Sequence, residues 1–207
     1  MERSSQITRR TVARPSQTRA RIVEHAMRLF WEQGYARTGI AEIVAAAGVR
    51  SGSLYHFFKT KEDVLIAVLE AYLDGLAPQV MDPAFAATDD PIGRVFAVMD
   101  GYRRAIVGTD FRYRCPIGSL ALEMQNASDR ARELVNRNFA QWRAAVAGCV
   151  RDAAPALRDD VDPDSVASFV LTVMEGGVMQ ATAERDIARF DDSVRHLRIY
   201  FDSLKRS

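Results

Sequence analysis

Apolar residues recur at every third or fourth position along almost the whole chain, and no stretch alternates apolar with polar residues as a half-buried strand does. That period puts apolar side chains on one face of a helix, so the expected fold class is all-α. Starts and stops divide the chain into about nine helices. Ser16 after Pro15 caps a first helix running to about Gln33, with Ile22, Ala26, Leu29 and Phe30 inward and Gly34 as its stop. Thr38 caps a short second helix, Gly39 to Ala47, ended by Gly48, and a third runs from about Ser51 to Phe58. Thr60 with Glu62 and Asp63 opens a long fourth, whose stripe is Val64, Leu65, Val68, Leu69, Tyr72 and Leu76. Beyond a break at MDPAFAATDDP, Asp90-Pro91 caps a fifth helix with Val95, Met99, Tyr102 and Ile106 inward. A short sixth follows Pro116, and a seventh spans about Ser128 to Ala153. Asp162-Pro163 opens an eighth running through Glu184. Asp191 or Asp192 opens a ninth that buries Val194, Leu197, Phe201 and Leu204.

With 207 residues, 48% of them hydrophobic and 27% charged, the chain has the length and balance for a sizeable packed core. Its two cysteines, Cys115 and Cys149, build no disulfide framework and suit a reducing compartment. No stretch reaches the roughly 18 uninterrupted apolar residues of a membrane span. The arginines at the start have no apolar run behind them, so a secretory signal is not expected and the cytoplasm is. His25, His56 and His196 fall on three different helices, with no His-x-x-x-His or Cys-x-x-Cys pair, so no metal site is expected. A Gly-rich phosphate loop and a nucleophile elbow are also missing, and neither catalysis nor a cofactor is expected. A small helical thiol enzyme would need a resolving cysteine near Cys115, and Cys149 belongs to another helix.

Charge is distributed unevenly. Residues 1–61 hold 11 Lys/Arg against 4 Asp/Glu, a net of +7, whereas the remainder carries −6. A basic head on an acidic body suits a polyanion partner for the head alone.

The segment IAEIVAAAGVRSGSLYHFF, Ile40 to Phe58, is two short helices joined by a Gly-containing turn, the pattern of a helix-turn-helix. Gly48 sits where the chain must turn with positive φ. Ile43, Ala47, Val49, Leu54 and Phe57 have the spacing to pack the pair together and onto the first helix. Arg50, Ser51, Ser53, Tyr55 and His56 then face outward, free of bulk that would block a major groove. An α-hairpin in a helical interaction module, without DNA binding, has the same apolar pattern.

The run from Thr18 to Tyr72 resembles the N-terminal domain of the TetR-type (tetracycline-repressor-like) transcriptional regulators. The matching residues are Leu29-Phe30, Gly34-Tyr35, Thr38, the Ala-Gly-Val turn at 47–49, Gly52, Leu54-Tyr55-His56-Phe57-Phe58 and Lys61. Val44 stands where a small Ala is usual, and Arg50-Ser51 replaces a frequent Ser-Lys. The resemblance implies a DNA-binding domain at 1–61, preceded by a basic arm over about 1–15, and a ligand-binding and dimerisation domain at 62–207. It implies a homodimer on a palindromic operator, with a repressor released by a small, largely apolar or electrophilic effector. Thr38 then offers its hydroxyl and amides to a phosphate, with Tyr55 and Lys61 as further phosphate contacts. Arg50, Ser51, Ser53 and His56 become base-edge candidates, Arg50 by a fork onto guanine, and Gly52 admits close approach. Lys59 reads equally as a phosphate contact or solvated surface. Arg9, Arg10 and Arg14 read as a minor-groove arm or a solubilising tail.

In the body, small residues on the seventh helix (Ala144, Ala145, Ala147, Gly148) and the eighth (Gly176, Gly177, Ala181, Ala183) suit close helix approach in a dimer. MEGGVMQATAERD also resembles the family's penultimate-helix dimer segment. Phe96, Met99, Tyr102, Trp142, Phe169 and Met174 are candidate walls of an effector pocket, each also readable as plain core. Cys115 starts the sixth helix just after Arg112 and Arg114, a setting that lowers a thiol pKa, and RCPIGSLALE resembles a Cys-x-x-Gly segment of electrophile-responsive family members. Its other reading is inert core.

Overall fold

The computed structural model describes residues 15–206. Among them the helices are α1 (Pro15–Gln33), α2 (Ile40–Ala47), α3 (Ser51–Phe57), α4 (Lys61–Leu76), α5 (Asp82–Phe85), α6 (Pro91–Gly108), α7 (Pro116–Ala121), α8 (Asp129–Asp152), α9 (Pro163–Glu184) and α10 (Ala188–Ser203). No strand forms among the described residues, only an antiparallel bridge between Leu157 and Lys205. All nine expected helices are present. The additional one, α5, is a single turn that continues α4 through a π-helical turn at Ala77–Met81, so the expected break begins only after Phe85. The expected fifth to ninth helices are therefore α6 to α10.

The caps account for most boundaries. Thr60 Oγ1 accepts from the Asp63 amide while the Asp63 carboxylate accepts from the Thr60 amide, so two orphan donors are satisfied reciprocally at the start of α4. Asp90 caps α6, Ser128 caps α8 and Asp162 caps α9, as their positions before the helices led us to expect. Two starts differ. Gly39, not Thr38, occupies the cap position of α2. In α10 the Asp186 carboxylate accepts from the Ala188 amide, which starts the helix a turn before Asp191 and buries Phe190.

Two hydrophobic clusters organise the bundle. One joins α1–α4 to Leu120, Met124 and the first turns of α8, through Val135. The other packs α6, the C-terminal half of α8, α9 and α10. Residues 61 and 62 lie in the first turn of α4, and the first cluster continues across them. Because α4 lies between α1 and α8, Val64 through Leu69 are all buried, wider than the expected stripe. By length and composition Lys61–Phe85 and α9 are each apolar enough to cross a bilayer. Their packing accounts for this: α9 alone buries eight residues, including Val170, Met174 and Val178, between α8 and α10.

Candidate nucleic-acid interface and internal cavity

The turn between α2 and α3 closes at Gly48 (φ +60°), whose amide donates to the Ala45 carbonyl while the Val49 amide reaches back to Val44. This left-handed cap is the conformation that Gly tolerates without a Cβ clash. Ile43, Ala47 and Leu54 seal the helix pair. Phe58 takes the fully buried place, while Phe57 and Val49 are only half-buried. Arg50, Ser51, Gly52, Tyr55 and His56 are exposed along α3, and Ser53 is half-buried. Tyr55 keeps 47% of its surface in the open, rare for an aromatic with no covering element. A methyl group built on Gly52 meets nothing within 4 Å. No packing inside the protein demands glycine there.

Thr38 does not fit the expected phosphate contact. It is buried, its hydroxyl donates to the Gly34 carbonyl at 2.7 Å, and its amide donates to the Tyr35 carbonyl. The hydroxyl is spent closing the loop between α1 and α2. Lys61 is held beside that loop: Nζ donates to the Ala36 carbonyl at 3.3 Å and lies 4.2 Å from the Tyr35 ring centroid. Partial desolvation lowers its pKa, opposed by the carboxylates of Glu123 and Glu42. One ammonium proton is committed, leaving two for an outside acceptor. Lys59 Nζ donates to the Tyr55 carbonyl at the end of α3. Arg9, Arg10 and Arg14 lie outside the described residues.

Between α4, α6, α8 and α9 lies a cavity of about 180 Å³. Three of the six candidate walls line it, Tyr102, Trp142 and Met174, together with Cys115, the remaining candidate for effector contact. Three do not. Phe96 packs edge-on to Phe201 with Arg198 over its ring, Met99 is solid core, and Phe169 is exposed on the outer surface against Tyr200. Helical period identifies the inward face but not which inward residue borders a void. Trp142 Nε1 donates to the Tyr102 hydroxyl at 2.9 Å, fixing two walls against each other. Tyr72 of α4 also lines the cavity, and sequence reasoning missed Tyr113, Asn138, Phe139 and Glu175.

Cys115 does line the cavity, but its expected acidification is contradicted. Arg112 turns back to the Thr109 carbonyl, and Arg114 reaches across to the Trp31 and Glu32 carbonyls. Neither faces the sulfur. Burial, and next the Glu175 carboxylate that accepts its S–H, push the thiol pKa well up. Sγ also accepts from the Gly118 amide at 3.5 Å, so cysteine acts as the cap of α7. Gly118 in turn leaves the notch that Glu175 fills, since a methyl there would collide with its carboxylate. Cys149 is buried and its pKa is raised, again by desolvation.

Three small residues of the expected dimer face are used within the chain, whereas Ala144 and Ala183 are exposed. Ala147 and Ala181 are fully buried, and Gly177 seats Phe190. The exposed large apolar side chains of the body are Phe169, Met179 and Ile199 on α9 and α10, Val107 on α6 and Leu122 just after α7.

Comparison with known proteins agrees with the geometry. Residues 22–68 match the family described as bacterial regulatory proteins, tetR family, and residues 91–197 match the tetracyclin repressor-like C-terminal domain. The chain is 28% identical over 188 residues to the HTH-type transcriptional repressor DhaR of Mycobacterium sp., covering 90% of this chain and 91% of that protein. It is 31% identical over 156 residues to the transcriptional regulator AcuR of Cereibacter sphaeroides, covering 74% and 71%. The crystal structure of a TetR regulatory protein from Rhodobacter sphaeroides superposes with a TM-score of 0.79 at 27% identity, over 87% of this chain and 96% of that one. With a helix-turn-helix head, a helical body and both family domains matched in order, this chain belongs to the TetR family of DNA-binding transcriptional regulators.

Proposed function

We propose that the protein is a homodimeric, cytoplasmic repressor that binds a palindromic operator and leaves it when a small effector enters the internal cavity. Residues 1–61 are the DNA-binding head and 62–207 the body. One observation carries the reading: α4 bears Lys61 against the α1–α2 loop of the head and, three turns on, lends Tyr72 and Gly75 to the cavity wall. A ligand that favours one arrangement of this wall biases the position of the head, provided it binds the two arrangements with different affinity. In the bound state Arg50, Ser51, Ser53 and His56 meet base edges, Tyr55 and Lys61 hold phosphates, and Gly52 lets the helix approach the backbone. The Mycobacterium relative is named a repressor, which supports that sign of regulation.

The dimer face is assigned to α9 and α10, where Phe169, Met179 and Ile199 stand exposed. This reading moves the expected pairing of the seventh and eighth helices to the eighth and ninth, because α9 and α10 carry these exposed large apolar side chains and α8 carries none.

Selection from a random duplex pool, followed by salt titration of the enriched sequence, tests the proposal. The expected result is a palindrome with half-sites about one helical turn apart and a steep salt slope. A pool that stays unenriched for the effector-free protein would overturn it.

A further inference from the structure

Glu175 is an unusual lining for a cavity of this size. Among the described residues its Oε1 is buried without a hydrogen-bond partner, and only the weak S–H donor of Cys115 reaches the carboxylate. Among the described residues no Lys, Arg or His lines the cavity; Arg112 turns to the Thr109 carbonyl, and Arg114, which borders the adjoining groove, is committed to the Trp31 and Glu32 carbonyls. Asn138 adds a second acceptor: both hydrogens of its side-chain amide go to the Leu69 and Leu134 carbonyls, which leaves the oxygen for the cavity. Around this acceptor pair stand the rings of Tyr72, Tyr102, Tyr113 and Trp142. A carboxylate removed from water with no counter-charge is costly, and aromatic faces attract cations.

We infer that the cavity takes a compact organic cation, a protonated amine on an apolar body, with Glu175 as its counter-charge. The inference deepens the effector reading and rests on it. A volume of about 180 Å³ suits a body of roughly benzene size, on the order of eight to ten non-hydrogen atoms with the amine. The ammonium donates to Glu175 and to the Asn138 oxygen, and the apolar body lies against the Trp142 and tyrosine rings. Burial raises the carboxyl pKa, and a cation beside it would lower it again. An anionic ligand would bring like charge to the same carboxylate.

Titration calorimetry on the full chain with benzylamine, benzyl alcohol and benzoate tests the inference at neutral pH. Benzylamine is expected to bind at least ~10-fold more tightly than benzyl alcohol, and benzoate not measurably. Glu175→Gln should bring the amine and the alcohol within about two-fold of each other, whereas Glu175→Asp keeps the preference for the amine. The wild-type series decides the matter even if a variant fails to fold. Alcohol or benzoate binding as tightly as the amine overturns the role of Glu175 and leaves the cavity as an effector site. Binding of none of the three overturns the inference. Benzylamine that binds with the expected preference but leaves a selected operator duplex in place supports the ammonium site and counts against the effector reading alone.

Discussion

Trp31 and Arg114 hold each other from both directions. The indole Nε1 donates to the Arg114 backbone carbonyl at 3.0 Å, and the Arg114 guanidinium donates back to the Trp31 carbonyl and, at 2.9 Å, to that of Glu32. Trp31 belongs to the last turn of α1, where carbonyls lack helical partners and the dipole favours a cation. Arg114 directly precedes Cys115 in the cavity wall. A few residues on, Glu123 accepts from the amides of Tyr35 and Ala36, at 3.1 and 2.6 Å. The segment from Tyr113 to Glu123 therefore touches the cavity and grips the head, so α4 is not the sole path between them.

Arg114→Ala should destabilise the protein by about 2 kcal/mol, because it leaves two carbonyls at a helix end without their charged donor. The urea midpoint measures this. A midpoint within error of wild type would mean that water replaces the guanidinium at no cost.

Glu123→Gln leaves one oxygen where two now serve. Exchange at the Tyr35 and Ala36 amides should accelerate about ten-fold, the equivalent of roughly 1.4 kcal/mol, while the core amides of α9 stay unchanged. Native-state hydrogen exchange resolves the two sets. Equal acceleration in both would point to global destabilisation rather than release of this loop.

Lys61→Ala should weaken binding to every duplex and flatten the plot of log affinity against log salt by about one unit. Tyr55→Phe, which removes a neutral hydroxyl, should lower affinity and keep the slope. An unchanged slope for the lysine variant would remove Lys61 from the phosphate contacts.

Two glycines should respond oppositely to alanine. Gly118→Ala drives a methyl into the Glu175 carboxylate and should cost about 1–3 kcal/mol in a thermal melt. Gly52→Ala meets nothing within 4 Å and should stabilise α3 by about 0.5–1 kcal/mol while weakening operator binding, because the proposed DNA contact uses that open space.

Glu175 also gives a pH signature. Burial raises its carboxyl pKa above the ordinary 4.5, so between those two values the folded state holds a proton that the unfolded chain has lost. Stability contributed by Glu175 is therefore present below pH 4.5 and lost as pH rises through the raised value. In the empty protein the wild-type melting temperature should fall relative to Glu175→Gln across that interval. Parallel profiles would show a carboxylate that titrates normally.

Much of this protein is decided by residue order alone. Period, caps and stops specify the helices, because hydrogen bonds and orphan amides at helix ends are satisfied by residues only a few positions away. Thr60 with Asp63, Asp90 before Pro91, and Gly48 at positive φ all act within such a window. The outward face of α3 was legible for the same reason, since Leu54 inward dictates Tyr55 outward. Local reasoning failed where a side chain had distant partners. Arg114 flanks Cys115 in sequence yet binds α1, and Glu175, distant in sequence, reaches the thiol instead. That exchange reverses the expected shift of the thiol pKa. Only the tertiary structure decided that Thr38 is buried, that Phe96 and Met99 miss the cavity, and that Gly177 seats Phe190. Each depends on packing between elements far apart in the chain, where electrostatics and voids are set by neighbours that periodicity cannot identify.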